Sequence, residues 1–151
     1  MIAGLGPDLL SPGFDRAEAR RRLRACAELP IGVALLRQSA VAGIGNVYKS
    51  EILFLCQTSP HRRVRVLSDE DLDRLLDKAI ELLRRNREGY PRVTRSPRRG
   101  QNLWVYGRSG RPCAECGRTM RMQRQGLAGR STYWCPRCQG GVEARRGPAP
   151  S

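Results

Sequence analysis

Four cysteines carry the clearest chemistry in this chain. Cys113-Ala114-Glu115-Cys116 and Cys135-Pro136-Arg137-Cys138 are two CxxC pairs with 18 residues between them. A two-residue gap brings both thiolates to one side of a tight turn, and an intervening hairpin then joins the pairs as a tetrahedron. That spacing predicts a single four-cysteine zinc site. Four protein thiolates leave the metal no open position, so its role is structural rather than catalytic. A redox dithiol belongs in a βαβ setting, which is absent here. Cys26 and Cys56 fall on helical segments and read as small buried apolar residues, not ligands. A stretch of about 35 residues buries little apolar surface, so the metal stands in for a core.

The charge points the same way as the metal. The 151 residues carry a net charge of +14. Residues 91–151 hold 13 basic and 2 acidic side chains, against 15 and 12 in residues 1–90. Such an excess favours an acidic partner, nucleic acid above all. Arg118, Arg121, Arg124 and Arg130 lie in the metal-bound stretch, and the guanidinium fork suits bidentate contact with phosphate. No apolar run approaches the roughly 20 residues a membrane span needs. The N-terminus, Met1-Ile2-Ala3-Gly4, lacks a signal-peptide pattern. A cytoplasmic location is expected, with no membrane partner.

The elements that must position these groups divide into two regions near Gly89-Tyr90-Pro91. Arg16 to Leu29 is free of Pro and Gly and rich in helix formers, after Phe14-Asp15. Pro30 suits the first position of a second helix, to about Arg37. Gly43 and Gly45 make 39–45 a turn. Asn46 is the expected N-cap of a helix over 47–56. Ser68 caps a long helix whose Leu72, Leu75, Leu76, Ala79, Leu82 and Leu83 share one face. Acidic residues 69–71 and basic residues 84, 85 and 87 match its dipole, and Gly89 stops it. Residues 92–101 read as an Arg-rich loop. Leu103-Trp104-Val105-Tyr106 is a short strand candidate, and 120–125 pairs with 131–135 as a hairpin around Gly126 to Gly129. From Gln139 on, the composition is that of a disordered tail.

Two of these stretches resemble one family. The run from Pro30 to Phe54, with its core Gln38-Ser39-Ala40-Val41-Ala42-Gly43-Ile44-Gly45-Asn46-Val47-Tyr48, is similar to the helix–two-turn–helix motif of the formamidopyrimidine-DNA glycosylase / endonuclease VIII family. Val105-Tyr106-Gly107-Arg108 through Gly129-Arg130-Ser131-Thr132 to Gln139 looks like that family's zinc finger. Leu5-Gly6-Pro7-Asp8-Leu9-Leu10 is similar to its hinge. The resemblance spans roughly residues 4–139. It implies a mainly α-helical helix–two-turn–helix domain over 15–90, after a hinge-like segment at 1–14. A loop at 91–102, a small β-hairpin zinc finger at 103–139 and the tail at 140–151 complete it.

By that resemblance Asn46 and Arg130 hold phosphates of double-stranded DNA around a damaged or abasic nucleotide. The turn of Gly43 and Gly45 suits this, because its N–H groups approach an anion at a helix start. Glu51 is expected to tie down that turn rather than act as an acid. The short 92–101 segment leans toward the endonuclease VIII side of the family. Family members cleave the glycosidic bond with an N-terminal Pro-Glu. This chain begins Met1-Ile2-Ala3, so the polypeptide alone is expected to bind DNA without excising bases. Two other functions stay open: a zinc-ribbon module for RNA or protein, and a lyase using a lysine. For the latter, Lys49 or Lys78 needs an apolar setting that lowers its pKa.

Overall fold

The computed structural model describes residues 5–86 and 103–140. The expected loop at 91–102, the Gly89 stop and residues 141–151 of the expected tail lie outside these residues; Gln139, expected to begin that tail, is instead buried, with both ends of its amide hydrogen-bonded.

The first helix, α1 (Arg16–Arg24), starts at Asp15, whose side chain accepts the Glu18 N–H at 3.0 Å. It stops at Arg24 instead of running on to Leu29. The reason is tertiary: the carbonyls of Ala27 and Leu29 take N–H groups from Arg65 and Val64. The chain must turn there to meet the 3-10 turn Val64–Val66. The second helix, α2, is likewise shorter than expected, covering Ile31–Ala34. Pro30 sits just outside it with ψ 143°, an N-cap rather than a first helical residue. Beyond Ala34 the bonds tighten to one-turn contacts, from Leu36 and Arg37 to Val33 and Ala34.

The third helix, α3 (Asn46–Leu55), is capped by the backbone of Gly45, and no side chain bonds its first turn. Asn46 is therefore not the N-cap. Its amide is turned toward another element, described below. The fourth, α4 (Asp69–Asn86), begins as expected. Ser68 Oγ accepts the Asp71 N–H and Asp71 Oδ2 accepts the Ser68 N–H, both at 3.0 Å. This reciprocal pair satisfies two donors at the helix start. Leu72, Leu75, Leu76, Ala79 and Leu82 are fully buried, and each leucine contributes about 1.5–3 kcal/mol by leaving water.

These helices enclose one core, from Leu9 and Leu23 through Ile31 and Val41 to Ile52 and Leu76. The hinge-like segment is pinned to the 38–42 turn, with Gly6 N–H on Gln38 O and Leu9 N–H on Ala42 O. Arg16, Arg20 and Arg24, four apart on α1, meet Asp77, Asp73 and Asp69, four apart on α4. Such exposed pairs add little energy singly. Their shared spacing sets the register of two antiparallel helices.

The second unit is a hairpin of β1 (Arg121–Gln125) and β2 (Arg130–Trp134), paired Arg121 to Trp134 and Gln125 to Arg130. It closes where the sequence places it. Leu103 to Tyr106 does not form a strand. The N–H groups that would join a ladder go instead to one carboxylate. Glu51, with no exposed surface, accepts from Trp104 at 2.7 Å, Val105 at 2.8 Å and Tyr106 at 2.9 Å. Glu51 is structural, as expected, but these bonds tie α3 to the entry of the hairpin unit rather than to the 43–45 turn. Phe54 stacks on Trp104 with ring centroids 5.3 Å apart, and a small core of Phe54, Val105, Met120, Cys113 and Cys135 lies between.

Replacing Glu51 tests this tie. Glu51→Gln presents an NH2 donor where an N–H needs an acceptor, so a loss of about 2–4 kcal/mol in urea unfolding is expected. An unchanged midpoint would show that the carboxylate is not what joins the units.

Candidate functional site

The hairpin is held at its base by the four cysteines. Their Sγ atoms all lie within 4.8 Å of one another, with Cys113 to Cys138 at 3.8 Å and Cys116 to Cys135 at 3.4 Å. A zinc ion about 2.3 Å from each of four sulfurs would space them about 3.8 Å apart, so the cluster fits the metal. Burial pushes the Cys135 thiol up to about 11 and raises Cys138 as well. Sulfurs packed this closely become thiolates when a cation sits among them. Cys26 and Cys56 stand apart from this cluster, and each thiol points at a helix carbonyl, Arg22 O and Arg74 O.

The sequence singles out Gly43, Gly45, Asn46 and Arg130, and the fold brings them to one region. Gly43 has φ +118°, which only glycine adopts readily, and this lets the chain turn into α3. Its N–H is bonded to Gln38 Oε1 at 3.1 Å. Gly45 has an ordinary φ of −93°, and a Cβ added there would meet open space. Gly45 therefore keeps the approach to the helix start clear. Asn46 Nδ2 donates to Ser131 O at 2.9 Å, and its Oδ1 is buried without a hydrogen-bond partner. Arg130, the residue before Ser131, is exposed. A cleft of about 400 Å³ runs along this junction, lined by Gly43, Gly45, Asn46, Val47, Tyr48 and Tyr106. The uncapped first turn of α3 forms one wall.

Three further residues hold the junction together, a role that the sequence alone assigns to none of them. Gln125 and Gln139 are buried amides that bridge the units. Gln125 Nε2 donates to Pro60 O at 3.1 Å, and Gln139 Nε2 donates to Thr58 O at 3.1 Å. Gln139 Oε1 also accepts the N–H of Cys135, a zinc-site cysteine, at 2.8 Å. The third is Lys49, which has no exposed surface. Its Nζ donates to Thr132 Oγ1 at 2.6 Å and to Ser131 O at 3.3 Å. Burial, and then the nearby charge of Arg130, lowers its pKa to about 8. Helical spacing could have flagged it, because Lys49, Ile52, Leu53 and Cys56 share the inward face of α3. The pKa-lowering setting required of a nucleophilic lysine is present, but the amine faces the hairpin rather than open solvent. Lys78 is bonded to Glu81 at 3.0 Å.

Among the described residues no helix is long and apolar enough to cross a membrane. Residues 5–93 match the formamidopyrimidine-DNA glycosylase H2TH domain, and residues 110–140 match the zinc finger found in FPG and IleRS. With the sulfur geometry, the latter match assigns the four cysteines one structural zinc. The chain is 46% identical over 148 residues to a probable endonuclease 8 2 of Streptomyces coelicolor, covering 97% of this chain and 53% of that protein. It is 42% identical to the DNA-(apurinic or apyrimidinic site) lyase Nei2 of Mycolicibacterium smegmatis, covering 91% of this chain and 54% of the relative. The solved MutM (Fpg) protein of Thermus thermophilus superposes with a TM-score of 0.72 at 38% identity, over 91% of this chain and 54% of that one. Lactococcus lactis Fpg, solved in complex with abasic-site DNA, gives 0.73 at 31% identity, over 90% and 52%. The chain thus spans about half the length of the curated relatives it matches. With a helical match over more than half its length and a zinc-finger match following in order, the chain belongs to the formamidopyrimidine-DNA glycosylase and endonuclease 8 family.

Proposed function

We propose that this chain grips the phosphates of double-stranded DNA around a damaged or abasic nucleotide, as the DNA-holding portion of a base-excision glycosylase and abasic-site lyase. One observation carries the reading: the bond from Asn46 to Ser131 O, which sets an uncapped helix start beside a hairpin arginine. The first-turn N–H groups of α3 and the positive end of its dipole favour an anion. Arg130 adds a fork of donors from the other side. Gly45 leaves room for the phosphate. A contact of this kind is to the DNA backbone rather than to a base edge, and it orients the duplex without reading sequence. A cytoplasmic, nucleoid-associated monomer is the form this reading implies. One relative named for lyase action and a neighbour solved with abasic-site DNA support the choice of partner.

The role of zinc follows from the same geometry. The metal fixes the base of the hairpin, and the hairpin carries Arg130. Cys135→Ser is expected to release zinc and abolish duplex binding, while far-UV ellipticity stays near that of the parent. The helical core draws on residues 9–82 and not on the finger. Retained DNA affinity after zinc loss would count against this arrangement.

Arg130→Ala isolates the phosphate contact. Fluorescence anisotropy with a duplex carrying an abasic-site analogue should show binding about tenfold weaker, with the slope of log K against log salt reduced by about one and zinc unchanged. Equal affinity and slope in the variant would remove Arg130 from the interface.

A further inference from the structure

Lys49 is the most anomalous residue in the structure. It is a cation with no exposed surface and, among the described residues, no carboxylate partner. A buried charge is ordinarily paired or neutralised, because leaving water costs several kcal/mol. Here both acceptors are neutral, and both belong to the start of β2. The Ser131 carbonyl receives two donors, Asn46 Nδ2 and Lys49 Nζ, one turn of helix apart. The next residue toward the N-terminus is Arg130. The backbone that carries Arg130 is thus clamped from α3 at two points.

The charged and titratable groups around Lys49 are few. From β2 comes Arg130, whose field opposes the lysine's charge. On its own helix, Glu51 turns its carboxylate to the N–H groups of 104–106. Toward β1, the Thr132 hydroxyl leads through Gln125 to His61. Tyr133 of β2 packs on Tyr106. Helix α4 presents Arg74 and Lys78 together with Asp77 and Glu81 to the far end of α3, at Cys56. Helix α2 carries no charge.

We propose that Lys49 is the positioning residue for Arg130, and that a DNA phosphate bound at Arg130 supplies the counter-charge the buried lysine lacks. This rests on the DNA-binding reading above. It goes further by making protonation of Lys49 and phosphate binding reciprocal. If phosphate favours the charged lysine, the charged lysine must favour phosphate by the same factor.

Lys49 and Lys78 are the only lysines in the chain, so protein labelled with 13C-lysine gives two side-chain sets and a clean titration. Free protein should show Lys49 titrating near pH 8. Saturation with an abasic-analogue duplex should raise that midpoint by about one unit. Correspondingly, the duplex should bind about tenfold tighter below pH 7 than well above pH 9. DNA binding with an unmoved Lys49 midpoint overturns this inference and leaves the phosphate reading standing. No DNA binding at any pH defeats both. Lys49→Met should bind, at every pH, as weakly as the parent does at high pH, with zinc content kept. Parental affinity and pH profile in that variant would overturn the proposal. Should Lys49→Met fail to fold, Thr132→Val serves instead. It removes one acceptor of the ammonium, and the Lys49 midpoint should fall; an unchanged midpoint again overturns it.

Discussion

A carboxylate in the interior of a protein must be met by donors, and Glu51 is met by three backbone N–H groups. This constraint shapes the whole molecule. Because those donors belong to consecutive residues 104–106, the segment entering the finger cannot pair as a strand. It wraps instead around the side chain of a helix in the other unit. Backbone N–H groups also cannot be shed by a local rotation, so the contact is directional in a way an apolar patch is not. Phe54 and Trp104 then pack beside it, and the small core of the finger forms against α3 rather than by itself.

The zinc site depends on that docking. The finger has few apolar residues, and several of its buried groups are polar: Gln125, Thr132 and Gln139. Each finds its partner across the junction or within a network that crosses it. Gln139 joins the two systems directly, since one end of its amide holds the Cys135 N–H and the other holds Thr58 O. The metal therefore fixes the hairpin internally, while the amides fix the hairpin to the helices. A polar junction of this kind tolerates little slippage, because a shift of one residue would leave several buried donors unmet.

What the sequence makes legible is whatever repeats or has fixed spacing. The two CxxC pairs, the leucine face of α4 and its Ser68 cap, and the hairpin around Gly126 to Gly129 all follow local rules, and local rules suffice for them. Most of the failures share one cause. α1 stops at Arg24 and Leu103 to Tyr106 leaves the strand conformation because distant groups claim their hydrogen bonds, while α2 ends at Ala34 in a tightened turn. Asn46 is the clearest example. Its side chain suits an N-cap, yet Ser131, 85 residues away, takes the amide. Lys49 was half legible, since helical spacing puts it inward. Its partners on the hairpin are not readable from local pattern.

The junction also explains why the contact to Arg130 runs through main-chain atoms. Asn46 and Lys49 both grip the Ser131 carbonyl, and Ser50 Oγ accepts the Tyr133 N–H two residues further on. Side chains on β2 can rotate, but its backbone is held at alternate residues by consecutive turns of one helix. The first turn of α3 and the backbone that carries Arg130 thereby become parts of one rigid surface. A site that must accept a phosphate gains from this, because little ordering is left to be done when the anion arrives. The cost is a buried amine with, among the described residues, no carboxylate beside it, a cost that an arriving phosphate would offset.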